Sequence, residues 1–203
     1  MTKPNPANPT LSISRPDLAS ALEQIGAEIE HQPLRSSALA RIMRETFHGS
    51  DAGGTWDWRM AYDLMQATAV QALLRGDNSE DDYYAAKLLA SRLLTETRRS
   101  EQQIRLQQFS TPLPFAALTV RAAAIRKGET VLEPSAGTGA PAAFAARAGA
   151  TLLLNEIDPF RQRLLRAVFG GEVTGHDGEH IDDLLQTPVL PDVVVMNPPF
   201  ASS

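Results

Sequence analysis

Cysteine is absent from the 203 residues, which excludes disulfide frameworks, cysteine-ligated zinc and thiol nucleophiles. Lysine is nearly absent: three of the nineteen basic residues are Lys and the rest are Arg. That bias carries no functional weight, because genome base composition produces it as readily as selection does. An excess of positive charge is also missing. With a formal net charge of −5 there is no general basic field of the kind that drives non-specific nucleic-acid binding, so any such contact has to be local or supplied from outside the chain. No run of about 18 apolar residues occurs, so no membrane-spanning helix is expected. No apolar segment follows Lys3, no signal peptide is read, and a cytoplasmic protein is the expectation. What is present, 43% apolar and 21% charged residues, is the composition of a globular chain with one sizeable core.

Residues 1–15 carry Pro4, Pro6 and Pro9 among Asn and Thr without periodicity and read as a disordered tail. Residues 16–108 read as a helical segment. Pro16-Asp17 opens a helix with Leu18, Leu22, Ile25 and Ile29 on one face. A second helix runs from Ser37 to Phe47, and longer helical patterns cover about Trp56 to Arg75 and Glu80 to Gln107, divided at Gly76-Asp77-Asn78. Trp56, Trp58, Met60, Met65, Tyr83 and Tyr84 fall at helical spacing and read as packing surface rather than as a ligand box. Arg98, Arg99 and Arg105 read as a solvated face near a helix C-terminus.

The pattern changes after Phe109. Short apolar runs at Thr130–Leu132, Thr151–Leu154, Glu172–Thr174 and Asp192–Met196 alternate with helical patterns at Ala140–Arg147, Pro159–Phe169 and Ile181–Leu185. Strands apolar on both faces and separated by helices predict an α/β fold with a parallel sheet covered on both sides. Right-handed crossovers then bring every strand's carboxyl end to one edge, where such folds bind ligands.

Each strand is followed by a polar position: Glu133, Glu156, Asp177 and Asn197, at intervals of 23, 21 and 20 residues. The first loop, Glu133-Pro134-Ser135-Ala136-Gly137-Thr138-Gly139, has glycines where the chain must turn and where backbone can approach a ligand. A phosphate-cradling loop needs Gly-Lys-Ser/Thr, and Ala140-Pro141 follows Gly139, so that reading is excluded. Gly137, Gly139 and Ala142 loosely satisfy the dinucleotide pattern, with Glu156 as the acid for a ribose diol, and NAD stays open at this point. The fourth strand end, Asn197-Pro198-Pro199-Phe200, is more particular. The Asn carboxamide accepts from an amino group, the prolines hold neighbouring carbonyls rigidly, and Phe200 offers a face for a planar ring. Together they describe a clamp for a conjugated amine. His176-Asp177-Gly178-Glu179-His180 resembles a ligand cluster, but Gly178 interrupts any shared helical face and no distant ligand is suggested, so no metal site is read. Asp158-Pro159 reads as a helix cap.

Taken in order, Val131–Gly139, Asn155–Pro159, His176-Asp177 and Asn197–Phe200 resemble the motifs of S-adenosylmethionine-dependent amino-methyltransferases, chiefly the N6-adenine DNA type. Phe109-Ser110-Thr111-Pro112-Leu113-Pro114 resembles that family's additional cofactor motif, placed first in one of its circular orders. The resemblance covers residues 109–203. The spelling of the stretch is also similar to the methylase-like region at the front of bacterial strawberry-notch-type helicase proteins. The family implies a partial Rossmann-like sheet and S-adenosyl-L-methionine as cofactor. It implies that Thr111 and Glu133, Pro134, Ser135, Ala136, Gly137 and Gly139 hold the methionine part. Glu156 takes the ribose, Ile157 and Phe200 flank the rings, and Asp177 accepts from the cofactor's adenine. Asn197 with Pro198 and Pro199 grips the target amine. DNA is the implied substrate; RNA guanine N2 and a protein glutamine amide fit the same clamp. The family's sheet continues beyond a fourth strand, so Val193–Met196 is expected to be an open apolar edge, completed by more chain or by another molecule. Recognition of DNA is expected to need a part outside this chain. The competing readings are a non-catalytic module of a larger helicase-like or mobile-element protein and, third, an NAD-dependent oxidoreductase.

Overall fold

The computed structural model describes residues 14–77, 81–96, 110–185 and 190–197. The tail over residues 1–13, the helical extension over 97–107 with Arg98, Arg99 and Arg105, Asn78, Glu80, Phe109, and Pro198, Pro199 and Phe200 lie outside the described residues. In chain order the elements are α1 (Arg15–His31), α2 (Ser36–Thr46), α3 (Trp58–Arg75), α4 (Asp82–Arg92) and α5 (Leu113–Ala122). They continue as β1 (Thr130–Glu133), α6 (Ala140–Arg147), β2 (Thr151–Asn155), α7 (Pro159–Phe169), β3 (Val173–Thr174), a 3-10 turn (Gly178–His180), α8 (Ile181–Leu184) and β4 (Val193–Val194).

Local chemistry accounts for most boundaries. Ser14 caps α1 in a reciprocal box, its hydroxyl accepting from Asp17 N and the Asp17 carboxylate accepting from Ser14 N, each at 3.2 Å. Residues 14 and 15 therefore belong to the helix and not to the tail read over 1–15. Asp158 caps α7 as expected, accepting from Phe160 N and Arg161 N at 3.0 Å with Pro159 in the first turn. The helical pattern predicted from Glu80 onward breaks at Leu93, whose backbone is extended. Tertiary contacts hold that end: Leu34 N donates to the Arg92 carbonyl at 2.8 Å, and the Arg92 guanidinium donates to the carbonyls of Ile29 and Glu30. Helix α5 was not anticipated, although Leu113, Ala116, Ala117 and Val120 are its buried face at helical spacing.

The four strands form one parallel sheet in the order β3-β2-β1-β4. The chain steps outward from β1 to β2 to β3 and then returns to the other side of β1. The reversal between β1 and β4 is the switch point at which ligands of open α/β sheets bind. One sheet face, with Val131, Leu152, Val193 and Val195, packs on α6 through Ala145, and Leu154 and Val173 pack with Leu165 of α7. On the other face Leu132, Leu153 and Val194 stand in register. Val194 is 51% and Met196 50% exposed, so among the described residues the predicted cover on both faces is realised fully on one face only, and β4 stands at an edge of the sheet.

The helical segment forms a further layer over α6 and α7. Buried residues of α1, α2 and α3 share one cluster with Phe160 and Leu164 of α7, while Ala69, Val70 and Leu73 of α3 share another with α4, α5 and Phe144 of α6. Packing thus crosses the boundary read near residue 108. Trp56, Met60 and Met65 are buried, in keeping with a packing role, whereas Tyr84 is exposed. Among the described residues no helix is long and apolar enough to cross a membrane. Leu164 is fully buried between the layers, so Leu164→Ala is expected to cost about 2–5 kcal/mol. Both tryptophans lie in the helical layer. Their fluorescence midpoint in denaturant should therefore shift with this substitution on the sheet side; an unmoved midpoint contradicts the shared core.

Candidate functional site

The loops that follow β1, β2 and β3 are tied to one another by hydrogen bonds. Gly137 N donates to Glu156 Oε2 at 2.7 Å, and Asp158 N donates to Glu156 Oε1 at 2.8 Å. Asn155, with no exposed surface, joins the loops after β1 and β3: its Nδ2 donates to the carbonyls of Pro134 at 2.8 Å and His176 at 2.9 Å. Its Oδ1 accepts from His176 N and from the Thr174 hydroxyl. A polar side chain so buried has to be fully bonded, and Asn155 meets that demand by stapling the loops together. Sequence reasoning gave it no role. Its signal was a carboxamide closing the otherwise apolar run Leu152–Leu154.

The glycine loop is shaped by its neighbours. Ala136 N donates to the Asn155 carbonyl at 2.9 Å, and Gly139 N to the Ala136 carbonyl at 2.8 Å. Gly137 and Gly139 have φ of +59° and +88°, values that favour glycine. A β-carbon at Gly139 would stand 2.6 Å from the Phe169 ring and 2.9 Å from Leu165, whereas one at Gly137 would meet nothing within 4 Å among the described residues. Gly139 lets α6 approach α7, and Gly137 leaves open space beside its backbone. On the far side, a β-carbon at Gly178 would stand 3.0 Å from both the Pro134 carbonyl and the Ser135 hydroxyl, so the loops of β1 and β3 touch.

The two acids differ from expectation in their surroundings. Glu133 is 3% exposed; its carboxyl accepts from Ala142 N in the first turn of α6, and among the described residues its Oε2 has no hydrogen-bond partner. Burial, only partly offset by that bond and reinforced by the Glu156 charge, pushes its pKa well above the usual carboxylate value. Glu156 is 4% exposed, and burial raises its pKa as well, against the lowering effects of Arg161 and the two backbone N–H groups. The carboxylate expected to face a sugar diol closes on the glycine loop; its ligand-binding capacity is the second lone pair on each oxygen. Ile157, 54% exposed, presents an apolar side chain at the rim. Asp177 caps the 3-10 turn through Oδ1, accepting from Glu179 N at 3.1 Å, and is exposed.

Asn197 lies two residues beyond Val195, whose N–H donates to the Leu132 carbonyl of β1 at 3.0 Å. It therefore stands at the β4 side of the switch point. Its Nδ2 donates to the Thr111 hydroxyl at 3.1 Å, joining two expected site residues 86 positions apart. Ser110 beside them has a buried hydroxyl with no partner among the described residues. Two surface depressions lie elsewhere: one of about 390 Å³ between α1 and α2 near Arg35 and Arg44, and one of about 190 Å³ beside Arg121 and Phe144.

Beneath Glu156 is a second group that the sequence did not disclose. Arg161 donates through Nε and Nη2 to Asp63 Oδ1 at 3.0 and 2.8 Å. Arg59 pairs with Asp158 and lies 3.8 Å from Asp63. All four side chains are at most 10% exposed. The available signal was Arg59 and Asp63 four residues apart in a largely apolar helix; the pairing to α7 spans 98 positions, beyond any local pattern.

No family model, curated protein or solved structure matches the chain.

Two outcomes follow. Gly139→Ala should cost about 2–5 kcal/mol from the left-handed backbone and overpacking together, and Gly137→Ala about 1–2 kcal/mol from the backbone alone; equal losses in denaturant unfolding contradict the packing described. Below the usual glutamate pKa, folded and unfolded chains both carry the Glu133 proton. As pH rises the unfolded chain ionises first, so stability falls until Glu133 titrates in the folded state. Glu133→Gln should therefore raise the melting temperature at pH 8 by more than at pH 5. A gain that grows toward low pH contradicts the raised pKa.

Proposed function

We propose that this chain is an S-adenosylmethionine-dependent methyltransferase domain acting on an exocyclic amine, with N6 of adenine in DNA as the substrate. The observation that carries the reading is the gathering of Glu133, Gly137, Glu156, Asp177, Thr111 and Asn197 along the carboxyl edge of β3-β2-β1-β4, about its switch point. The chemistry of these residues fits the cofactor. The unpartnered Glu133 Oε2 is a buried acceptor that a cationic amine would satisfy, and the open space beside Gly137 admits a ligand against backbone.

S-adenosylmethionine, when bound, supplies a methyl group on a sulfonium, a leaving group good enough that no strong base is required. The chain's part is then positioning and charge complementarity. Glu133 balances an ammonium, Glu156 offers its remaining lone pairs to ribose hydroxyls, Ile157 packs on a ring face, and Asp177 Oδ2 accepts from an amino group. Asn197 Oδ1 accepts from the target amine while its Nδ2 is held by Thr111, which fixes the carboxamide's orientation. A base inside a duplex has to be flipped out to reach this edge. Guanine N2 in RNA and a glutamine amide present the same conjugated nitrogen to Asn197.

A second reading, a cofactor-binding module within a larger assembly, draws support from the β4 edge. Half-exposed Val194 and Met196 leave a strand ready to pair, and the acidic net charge provides no field to draw in DNA. Titration calorimetry with S-adenosylmethionine, S-adenosylhomocysteine and NAD separates the readings. The first two should bind, NAD should not, and Glu156→Ala should abolish binding. Asn197→Ala should then lose methyl transfer to DNA by at least about 100-fold while cofactor affinity stays within about threefold. Binding of NAD alone overturns the proposal, and cofactor binding without any transfer favours the module.

A further inference from the structure

We propose that Arg59, Asp63 and Arg161 are positioning residues of the nucleotide site, through which the helical layer holds the charge and orientation of Glu156. The inference rests on the reading of Glu156 as a ligand-binding acid and adds the source of its control, which lies in a helix some 100 residues earlier.

The geometry forms two arms that meet at Glu156. In one, the Arg161 fork is fixed on Asp63 of α3 at 2.8 and 3.0 Å, and the guanidinium's charge acts on Glu156, whose pKa it lowers against the effect of burial. In the other, Arg59 of α3 pairs with Asp158. Asp158 caps α7 with Oδ1 and donates its own N–H to Glu156 Oε1 at 2.8 Å. Arg59 thereby orients the turn that holds one carboxylate oxygen, while Gly137 N holds the other. Glu156 faces Arg161 and Asp158 from α7, Glu133 from β1, and Arg59 and Asp63 through these pairs from α3; the loop after β3 brings His176 and Asp177 to the same edge. The acids Glu133, Glu156, Asp158 and Asp63 are answered by two cations, Arg59 and Arg161. Such a balance is sensitive to the loss of any one charge, because a buried charge without its partner is costly.

Because charge is the lever, substitutions of opposite sign move Glu156 in opposite directions. Arg161→Gln removes the cation and should raise the Glu156 midpoint by about one pH unit. Asp63→Asn leaves the cations less neutralised and should lower it by a comparable amount. The readouts are the acid limb of S-adenosylhomocysteine binding and a carbon-detected NMR titration of the Glu156 carboxyl in the ligand-free chain. Arg161→Lys keeps the cation without the fork and should return the midpoint to within about 0.3 units of the parent; it also serves if the neutral variants do not fold. Opposite shifts restored by Lys establish the positioning role. Equal weakening of both variants with an unmoved midpoint overturns it and leaves the pairs as scaffold only. If the parent chain binds neither S-adenosyl ligand, the methyltransferase reading fails, while the carboxyl titration still decides whether α3 controls Glu156.

Discussion

Charge buried at the strand ends has to be answered inside the protein, and the pairing of Arg161 with Asp63 is where that answer is given. Asp63 is 2% exposed and Arg161 3%. Removing either partner of such a pair typically costs about 3–5 kcal/mol, because the survivor is left uncompensated. Burial works against the Arg161 cation, and the Asp63 carboxylate beside it more than offsets that effect. The pair also ties the helical layer to the sheet half. α3 supplies apolar contacts to both α6 and α7, and in the same stretch of helix it supplies the counter-charge under the loop that follows β2.

Above that base the site is assembled by polar stitching rather than by long strands. β3 and β4 are two residues each, too short to fix the loops beyond them through ladder bonds alone. Asn155 takes over for β3 by holding Pro134 and His176 together. Asp192 does so at the start of β4, where its carboxylate accepts from Thr130 N at 2.7 Å. Thr111 and Asn197 link the approach to α5 with the end of β4. Among the described residues, burial and hydrogen bonding are denser at β1 and β2 than at the end of β4 that carries the proposed amine grip.

Much of the sheet half was legible because its signals are local. Ala140–Arg147 and Pro159–Phe169 were read with the boundaries observed, since a proline opens each and an αL glycine adjoins each. The alternation of apolar runs with these helices signals the parallel sheet, and the regular interval of polar positions sets them at the ends of its strands. The misses are tertiary in origin. The helix predicted from Glu80 is broken at Leu93, where Leu34 and the α1 carbonyls capture the end of α4 and Leu94 N turns to the Met65 sulfur at 3.3 Å. α5 was overlooked because its Leu113-Pro114 opening looks like a loop. Glu156 follows directly on β2, and its closure on Gly137 depends on a strand pairing and a turn that no single motif encodes. Asn155 and the Arg59, Asp63, Arg161 group are ordinary residue types whose importance comes from burial.

The central claim is that separated stretches of one sheet edge jointly hold an S-adenosyl nucleoside. Amide chemical-shift mapping of the full chain titrated with S-adenosylhomocysteine tests it most directly. The account predicts that the largest changes fall on Gly137, Glu156, Ile157 and Asp177, with a smaller response at Thr111 and Asn197. Changes confined to the α1–α2 depression, or none at millimolar ligand, would contradict it.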